Sequence, residues 1–277
     1  MSEFTVQRLL KASTVAAWDV CCKGSCAELS EEEHAAETQL VFPYRGVYAR
    51  HLNGEEAVAE ANQVVFFNAN ETYRVSHPVP GGDASLVLTV DEDLMREIGP
   101  RELFRGGSVF AFREQRLRID ARAQALVAML RHSLRLKIAE PLEGESLALT
   151  LVQRALGPRT THVASGSSGR QRLVDRIKLV LASDLARRWT LSEIAMEVRG
   201  SAVYLTQVFQ QVEGLPLYRY HLQLRLARAL DLLDQYDDLT ELSLELGFSS
   251  HSHFSAAFRK AYGRTPSEFR ETALRNR

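Results

Sequence analysis

The second half of the chain contains one stretch written twice, and this repeat limits the possible folds more than any other feature. The first copy is Leu191–Tyr220 (LSEIAMEVRGSAVYLTQVFQQVEGLPLYRY) and the second is Leu239–Arg270 (LTELSLELGFSSHSHFSAAFRKAYGRTPSEFR). Leu191, Ile194 and Ala195 recur as Leu239, Leu242 and Ser243, each 48 residues on. Beyond one inserted residue, Leu205, Phe209 and Gly214 recur as Phe254, Phe258 and Gly263, each 49 residues on. An insertion confined to a turn leaves both flanking helices in phase.

Each copy carries its own start and stop signals. Thr190 and Glu193 form a capping box, with hydroxyl and carboxylate answering the orphan N–H groups of a helix start; Asp238 and Glu241 place the same chemistry before the second copy. A short helix then ends at Arg199-Gly200 or Gly247-Phe248, and Ser201 or Ser249/Ser250 can cap the next one. Small Ala195 and Ser243 stand where two helices must cross closely, while Leu205/Phe209 and Phe254/Phe258 anchor one face of the second helix. Helix, tight turn, helix is the plan that lays its second helix in a major groove of DNA. Two hairpins in a plain bundle would bury the same anchors. The match of caps, turns and anchors in both copies favours the DNA-reading plan.

The segments around the copies fit that plan. Leu217, Tyr220, Leu224, Ala227, Leu230 and Leu233 recur at threes and fours, so Pro216–Gln235 reads as one helix. Twenty residues span ~30 Å, close to the ~34 Å between successive major-groove faces. A leading helix carries Leu173, Ile177, Leu181, Leu185 and Trp189 at steps of four. Thr265-Pro266-Ser267-Glu268 opens another helix with proline at its first position.

Charge argues for DNA only weakly. The 34 basic and 35 acidic residues give a net charge of −1, and 45% hydrophobic with 25% charged residues excludes a disordered or fibrous chain. That total joins an acidic front (residues 1–160, 18 basic and 22 acidic) to a mildly basic back (161–277, 16 basic and 13 acidic). Between them, Gly157–Gly169 (GPRTTHVASGSSG) reads as a flexible linker, dividing the chain into 1–158, a linker at 159–169, and 170–277.

The front half reads as β first, then α. Apolar segments at Thr38–Pro43, Gly46–His51, Gln63–Asn68 and Ser85–Val90 are separated by turn material such as Asn53-Gly54 and Pro80-Gly81-Gly82-Asp83, a spacing expected of a sandwich or barrel. Leu126, Leu130, Leu134 and Ile138, then Leu147, Leu151 and Leu156, read as an antiparallel helical hairpin whose leucines serve either the core or a dimer face.

The back half resembles the AraC/XylS family of bacterial transcription regulators over about Gln171–Leu274, most specifically in ELGFSSHSHFSAAFRKAYGRTPSEFR. Leu191-Ser-Glu-Ile-Ala195, Leu205, Phe209 and Gly214 fit the family's first motif, and Arg225-Leu-Ala-Arg228-Ala-Leu its connecting helix. The resemblance implies a multidomain α+β protein: an N-terminal cupin-like β-barrel with a helical hairpin, then an all-α domain with two helix-turn-helix motifs. It implies a homodimer, promoter DNA and RNA polymerase as partners, a regulated activator as the default, and no catalysis. Carried over, the base-reading positions are Val203, Thr206 and Gln207 in the first recognition helix and His251, Ser252, Ser255 and Ala256 in the second. Gln can pair bidentately with adenine, Ser, Thr and His can bond base edges, and Val or Ala can meet a thymine methyl. Arg219, Arg225, Arg259 and Lys260 are the candidate phosphate contacts. Gln and Ala stand at Gln207, Gln210, Gln211 and Ala256 where the family often has Arg or Lys, which implies weak monomer binding and a shallow salt dependence.

In the front half, Tyr73 and His77 fall on one side of a strand and are the candidates to touch a small-molecule effector; the alternative is a surface turn holding a satisfied histidine. Arg45, Tyr48 and His51 raise the same question. Cys21, Cys22 and Cys26 lie within six residues, so they cannot staple the chain, and their spacing lacks paired C-x-x-C elements. They read as ordinary reduced cysteines, with a thiol sensor or metal site as the sharper alternative. No spaced His/Glu cupin metal motif appears, so neither a metal nor a cofactor is expected. Residues 1–20 have no apolar signal core and no run approaches ~18 apolar residues, so a cytoplasmic protein without a membrane span is expected. Two other functions remain open. One is a constitutive regulator whose front half only dimerises or binds a protein; the other is a cysteine-dependent DNA-repair enzyme, although the clustered cysteines lack that chemistry's widely spaced site.

Overall fold

In the computed structural model, residues 4–24, 28–107, 109–157 and 167–273 are described. Cys26 and residues 159–166 of the expected linker lie outside them. The chain forms two compact units, residues 1–163 and 164–277.

Among the described residues the front unit holds ten strands: β1 (Phe4–Lys11), β2 (Val15–Cys22), β3 (Glu33–His34), β4 (Gln39–Arg45), β5 (Tyr48–Leu52), β6 (Glu55–Ala59), β7 (Gln63–Phe67), β8 (Thr72–Ser76), β9 (Asp83–Val90) and β10 (Arg116–Arg118). They form a six-stranded sheet in the order β1-β2-β9-β4-β7-β10 and a four-stranded sheet in the order β3-β8-β5-β6. Among the described residues no ladder joins the two, so the expected barrel is instead a pair of sheets. Asn53 and Gly54 form the two-residue turn between β5 and β6, both at positive φ (52° and 78°), as a tight hairpin matched to strand twist requires.

Strand alternation gives the larger sheet two apolar faces. Leu40, Phe42, Phe66, Leu86 and Leu88 enter one buried cluster, while Val41, Val65, Phe67 and Val87, their immediate neighbours, enter another with Tyr48 and Ala59 of the smaller sheet. Helices α2 (Ala121–Arg135) and α3 (Pro141–Leu156), which follow the short α1 (Glu92–Ile98), close the first face. Leu130, Leu134, Leu151 and Leu156 are all buried there, so the leucine stripe is intramolecular core and is not available as a dimer face.

The back unit holds α4 (Ser168–Ser183), α5 (Leu191–Glu197), α6 (Ala202–Glu213), α7 (Leu217–Leu232), α8 (Leu239–Glu245), α9 (His251–Tyr262) and α10 (Pro266–Ala273). Ser168 and Gly169, read as the end of the linker, are the first residues of α4. The two copies have equal elements: seven residues in α5 and α8, twelve in α6 and α9. The inserted residue falls in the second turn. Helix α7 is shorter than the spacing suggests, 16 residues or about 24 Å, because the chain turns at Leu233 and the acidic Asp234–Asp238 stretch follows.

Candidate functional site

Local hydrogen bonds set the first helix of each motif and the start of α9. In the first copy Thr190 Oγ1 accepts from Glu193 N, and Thr190 N donates to Glu193 Oε2 at 2.7 Å. These Thr190 bonds, followed by Arg187, hold the Glu193 carboxyl down at about 2. In the second copy Asp238 accepts from Thr240 N, and Ser250 accepts from His253 N at the start of α9. Ser201 takes the same place before α6 but makes no side-chain cap bond. Both helices end at a left-handed glycine, Gly214 (φ 71°) and Gly263 (φ 79°).

Each recognition helix buries one face and leaves the other open. In α6, Leu205, Val208, Phe209 and Val212 are buried with Ile177, Leu181 and Tyr220, while Val203 (67% exposed) and Gln207 face outward. Thr206 is half-buried, and its hydroxyl donates to Val203 O at 2.8 Å, leaving its lone pairs for an incoming donor. In α9, Phe254 and Phe258 are buried, Ser252 and Ala256 are exposed, and His251 and Ser255 are half-buried and linked at 3.3 Å. Arg259 and Lys260 are exposed in the last turn of α9, beside a shallow groove of about 450 Å³ shared with Ser255, Ala256 and Thr265. Arg219 is exposed on the first turn of α7 with Nε on the Tyr218 hydroxyl. Tyr204 and His253, both exposed in the first turn of their helices, were not singled out in the sequence, although a capped, outward-facing first turn is the available signal.

Arg225 departs from the expected phosphate role. Its Nε donates to Leu185 O (2.6 Å), Nη1 to Gly247 O (3.3 Å), and Nη2 to Ala186 O (3.0 Å) and Arg187 O (2.8 Å). Four backbone carbonyls occupy the guanidinium, so it clasps the segment after α4 to the turn of the second motif. Gly247 (φ 76°) lies so close to that segment that a Cβ there would sit 2.0 Å from Ala186 O.

His221, one turn earlier on α7, shares the Leu185 carbonyl at 3.1 Å. Burial, then the neighbouring Arg225 charge, lowers its pKa from 6.5 to about 4. The unfolded chain therefore binds more protons than the folded one between those values, so stability is complete above pH 6.5 and declines as pH falls towards 4. At pH 5 the expected loss is about 2 kcal/mol. Urea unfolding of the full chain at pH 7.5 and pH 5 should show this difference, and His221→Gln should remove most of it; an equal difference in the variant would assign it elsewhere.

The front unit encloses a cavity of about 650 Å³. Tyr73 and His77 both line it, as does Tyr48, whose ring is tilted against His77 at 6.4 Å. His51 instead bonds Ser76 Oγ at 2.9 Å, and Arg45 lies over the Tyr44 ring. Cys22, read in the sequence only as one of three clustered cysteines, and Asp83 line the same cavity, and their ligand atoms fall within 4.8 Å of those of His77, a grouping that no sequence spacing joins. Alternation along β2 sends Cys21 to the opposite face, where Sγ is 3.7 Å from Tyr44 Oη and 4.0 Å from Asp19 Oδ1. The thiols of Cys21 and Cys22 therefore face opposite sides of the sheet.

Residues 194–272 match the family model described as a helix-turn-helix domain. The HTH-type transcriptional activator RhaR of Klebsiella pneumoniae is 28% identical over 156 residues, 54% of each chain. The probable transcriptional regulator LumQ of Photobacterium leiognathi is 26% identical over 228 residues, 79% of this chain and 86% of that one. A solved Chromobacterium violaceum regulator, of the AraC-type DNA-binding domain-containing proteins, is 29% identical over 40% of this chain and all of its own, with a TM-score of 0.37. The chain spans about half the length of the first curated relatives it matches. Among the described residues, no helix is long and apolar enough to cross a membrane. Two helix pairs of equal length, matched in sequence from Ile194 onward, assign the back unit to the helix-turn-helix domains of AraC-type transcription regulators.

Proposed function

We propose that this protein is a sequence-specific DNA-binding regulator of transcription, an activator acting beside RNA polymerase, and not an enzyme. It reads two adjacent major-groove segments through α6 and α9 and answers a signal received by its front unit. The observation that carries this reading is the pair of equal recognition helices, each with its apolar face buried and Val203, Gln207, Ser252 and Ala256 exposed on the other. Thr206, His251 and Ser255 complete the base-reading set, and Arg219, Arg259 and Lys260 supply phosphate contacts. Arg225 is left out because four of its five N–H donors are engaged by backbone carbonyls. With three such cations, affinity rests on base edges and on a second protomer more than on counterion release. The 650 Å³ cavity favours a small-molecule effector touching Tyr73 and His77 over a front unit that only dimerises. Action on promoter DNA places the protein in the cytoplasm.

Selection of binding sites by the full chain from random duplexes should enrich two half-sites about one helical turn apart. Gln207→Ala and His251→Ala should each weaken the selected site about tenfold while leaving non-specific binding unchanged, since one base contact is worth about 1–3 kcal/mol. An unchanged footprint and preference in both variants would reject α6 and α9 as the reading helices.

A further inference from the structure

We propose that Cys22, His77 and Asp83 form a binding site for a single Zn²⁺ ion, opening onto the cavity of the front unit. This lies beyond the DNA-binding reading and does not depend on it. The three side chains come from separate parts of the sequence and are brought together by register. Cys22 ends β2 and Asp83 begins β9, and the two are direct partners across the antiparallel ladder. Directly opposed residues place their side chains on one face of the sheet with Cβ atoms about 4.5–5.5 Å apart. His77 follows β8 and is carried over this pair by the turn that runs through Gly81 and Gly82. Gly82 makes that approach possible: a Cβ there would lie 2.2 Å from the Cys22 carbonyl oxygen, and its φ is +70°.

The chemistry of the set selects the ion. A thiolate, an imidazole and a carboxylate suit a borderline-soft divalent cation and disfavour Mg²⁺ or Ca²⁺, which take oxygen ligands. Ligand atoms at Zn²⁺ bond lengths stand about 3.3–3.8 Å apart, so atoms already within 4.8 Å need shifts of about 1 Å to close on the metal. His77 Nδ1 and Asp83 Oδ2 are 2.6 Å apart, and both side chains are largely buried, 15% and 10% exposed. Zn²⁺ would take the place of the proton between them, and the Tyr48 ring limits how far the imidazole can turn. Three protein ligands leave a fourth position facing the cavity, where Glu28, Glu33 or a small donor molecule can enter.

The test uses the full chain stripped of metal with a chelator and titrated with Co²⁺ as a spectroscopic stand-in, followed by Zn²⁺. The expected result is one equivalent of Co²⁺ bound with a sulfur-to-cobalt charge-transfer band, and its displacement by Zn²⁺. Cys22→Ser should abolish the band, His77→Gln and Asp83→Asn should each weaken binding about 10–100-fold, and Cys21→Ser should leave it intact. Circular dichroism on each variant confirms that the sheets are formed. A band that survives in Cys22→Ser, that is lost in Cys21→Ser, or that never appears would overturn the proposal, as would equal affinity in parent and His77→Gln proteins.

Discussion

Lys178→Met is expected to cost the protein about 3–5 kcal/mol of stability, the penalty typical of breaking a buried ion pair from one side. Lys178 on α4 is fully buried, with Nζ 2.6 Å from Glu213 Oε1 at the end of α6 and 3.8 Å from Asp175 Oδ1 on its own helix. The Tyr220 ring of α7 lies 5.4 Å from the same nitrogen, so one ammonium joins three helices. Methionine preserves the volume but leaves two nearly inaccessible carboxylates without the lysine. One feature separates this loss from a simple packing defect: Asp175→Asn with Glu213→Leu in the same chain should recover most of it. Chemical denaturation at pH 7 measures it. A loss below about 1 kcal/mol at pH 7 would mean that water already reaches the cluster. Specific DNA binding should fall with stability, because Glu213 belongs to the recognition helix that carries Gln207.

The parts of this protein legible in its sequence are those set by short-range bonds. The Thr190/Glu193 and Thr265/Glu268 boxes and the Ser250 cap formed as read, because each bond spans only a few residues, whereas Ser201 makes no side-chain cap bond. The alternation that put Tyr73 and His77 on one side of a strand is equally local, and both do line the cavity. What escaped was set by register and tertiary contact. Cys22 and Asp83 are 61 positions apart and meet only through the β2/β9 ladder, so no spacing motif announces them. Strand β1 is an edge strand whose residues are mostly exposed, so it shows little of the apolar alternation that marked β4 and β9. The leucine stripe of α2 and α3 has the same pattern whether it meets a sheet or another protomer, and only the fold chooses the sheet. Arg225 reads as one more basic residue on a helix face. Its role depends on carbonyls 22 to 40 positions away, which no helical wheel displays.

Removing that guanidinium gives the second large effect. Arg225→Ala should destabilise the back unit by about 3 kcal/mol, since hydrogen bonds from a charged donor contribute about 1.5–3 kcal/mol each and part of the loss is regained through water at this half-exposed position. Leu185, Ala186, Arg187 and Gly247 would all lose a donor at once. Arg225→Lys should recover only a minor part, because an ammonium is a single point with three donors and cannot match the planar fork. Gly247→Ala should injure the same joint from the other side, by steric contact with Ala186 O and by the strain of a positive φ. The consequence for DNA is specific to this geometry. Arg225 ties the lead-in to the first motif to the turn of the second, so its loss frees the two recognition helices to move relative to each other. Binding to a full two-part site should then fall more than binding to either half-site alone. Trp189, whose Nε1 donates to Asp184 O at 3.1 Å and whose ring underlies Arg187, stands in the clasped segment and offers the local probe. In a Trp18→Phe background its fluorescence should report earlier unfolding in Arg225→Ala than in the parent. If Arg225→Ala instead melted with the parent and lost affinity for half-sites and full sites alike, the residue would be a phosphate contact after all, and the clasp would have no energetic weight.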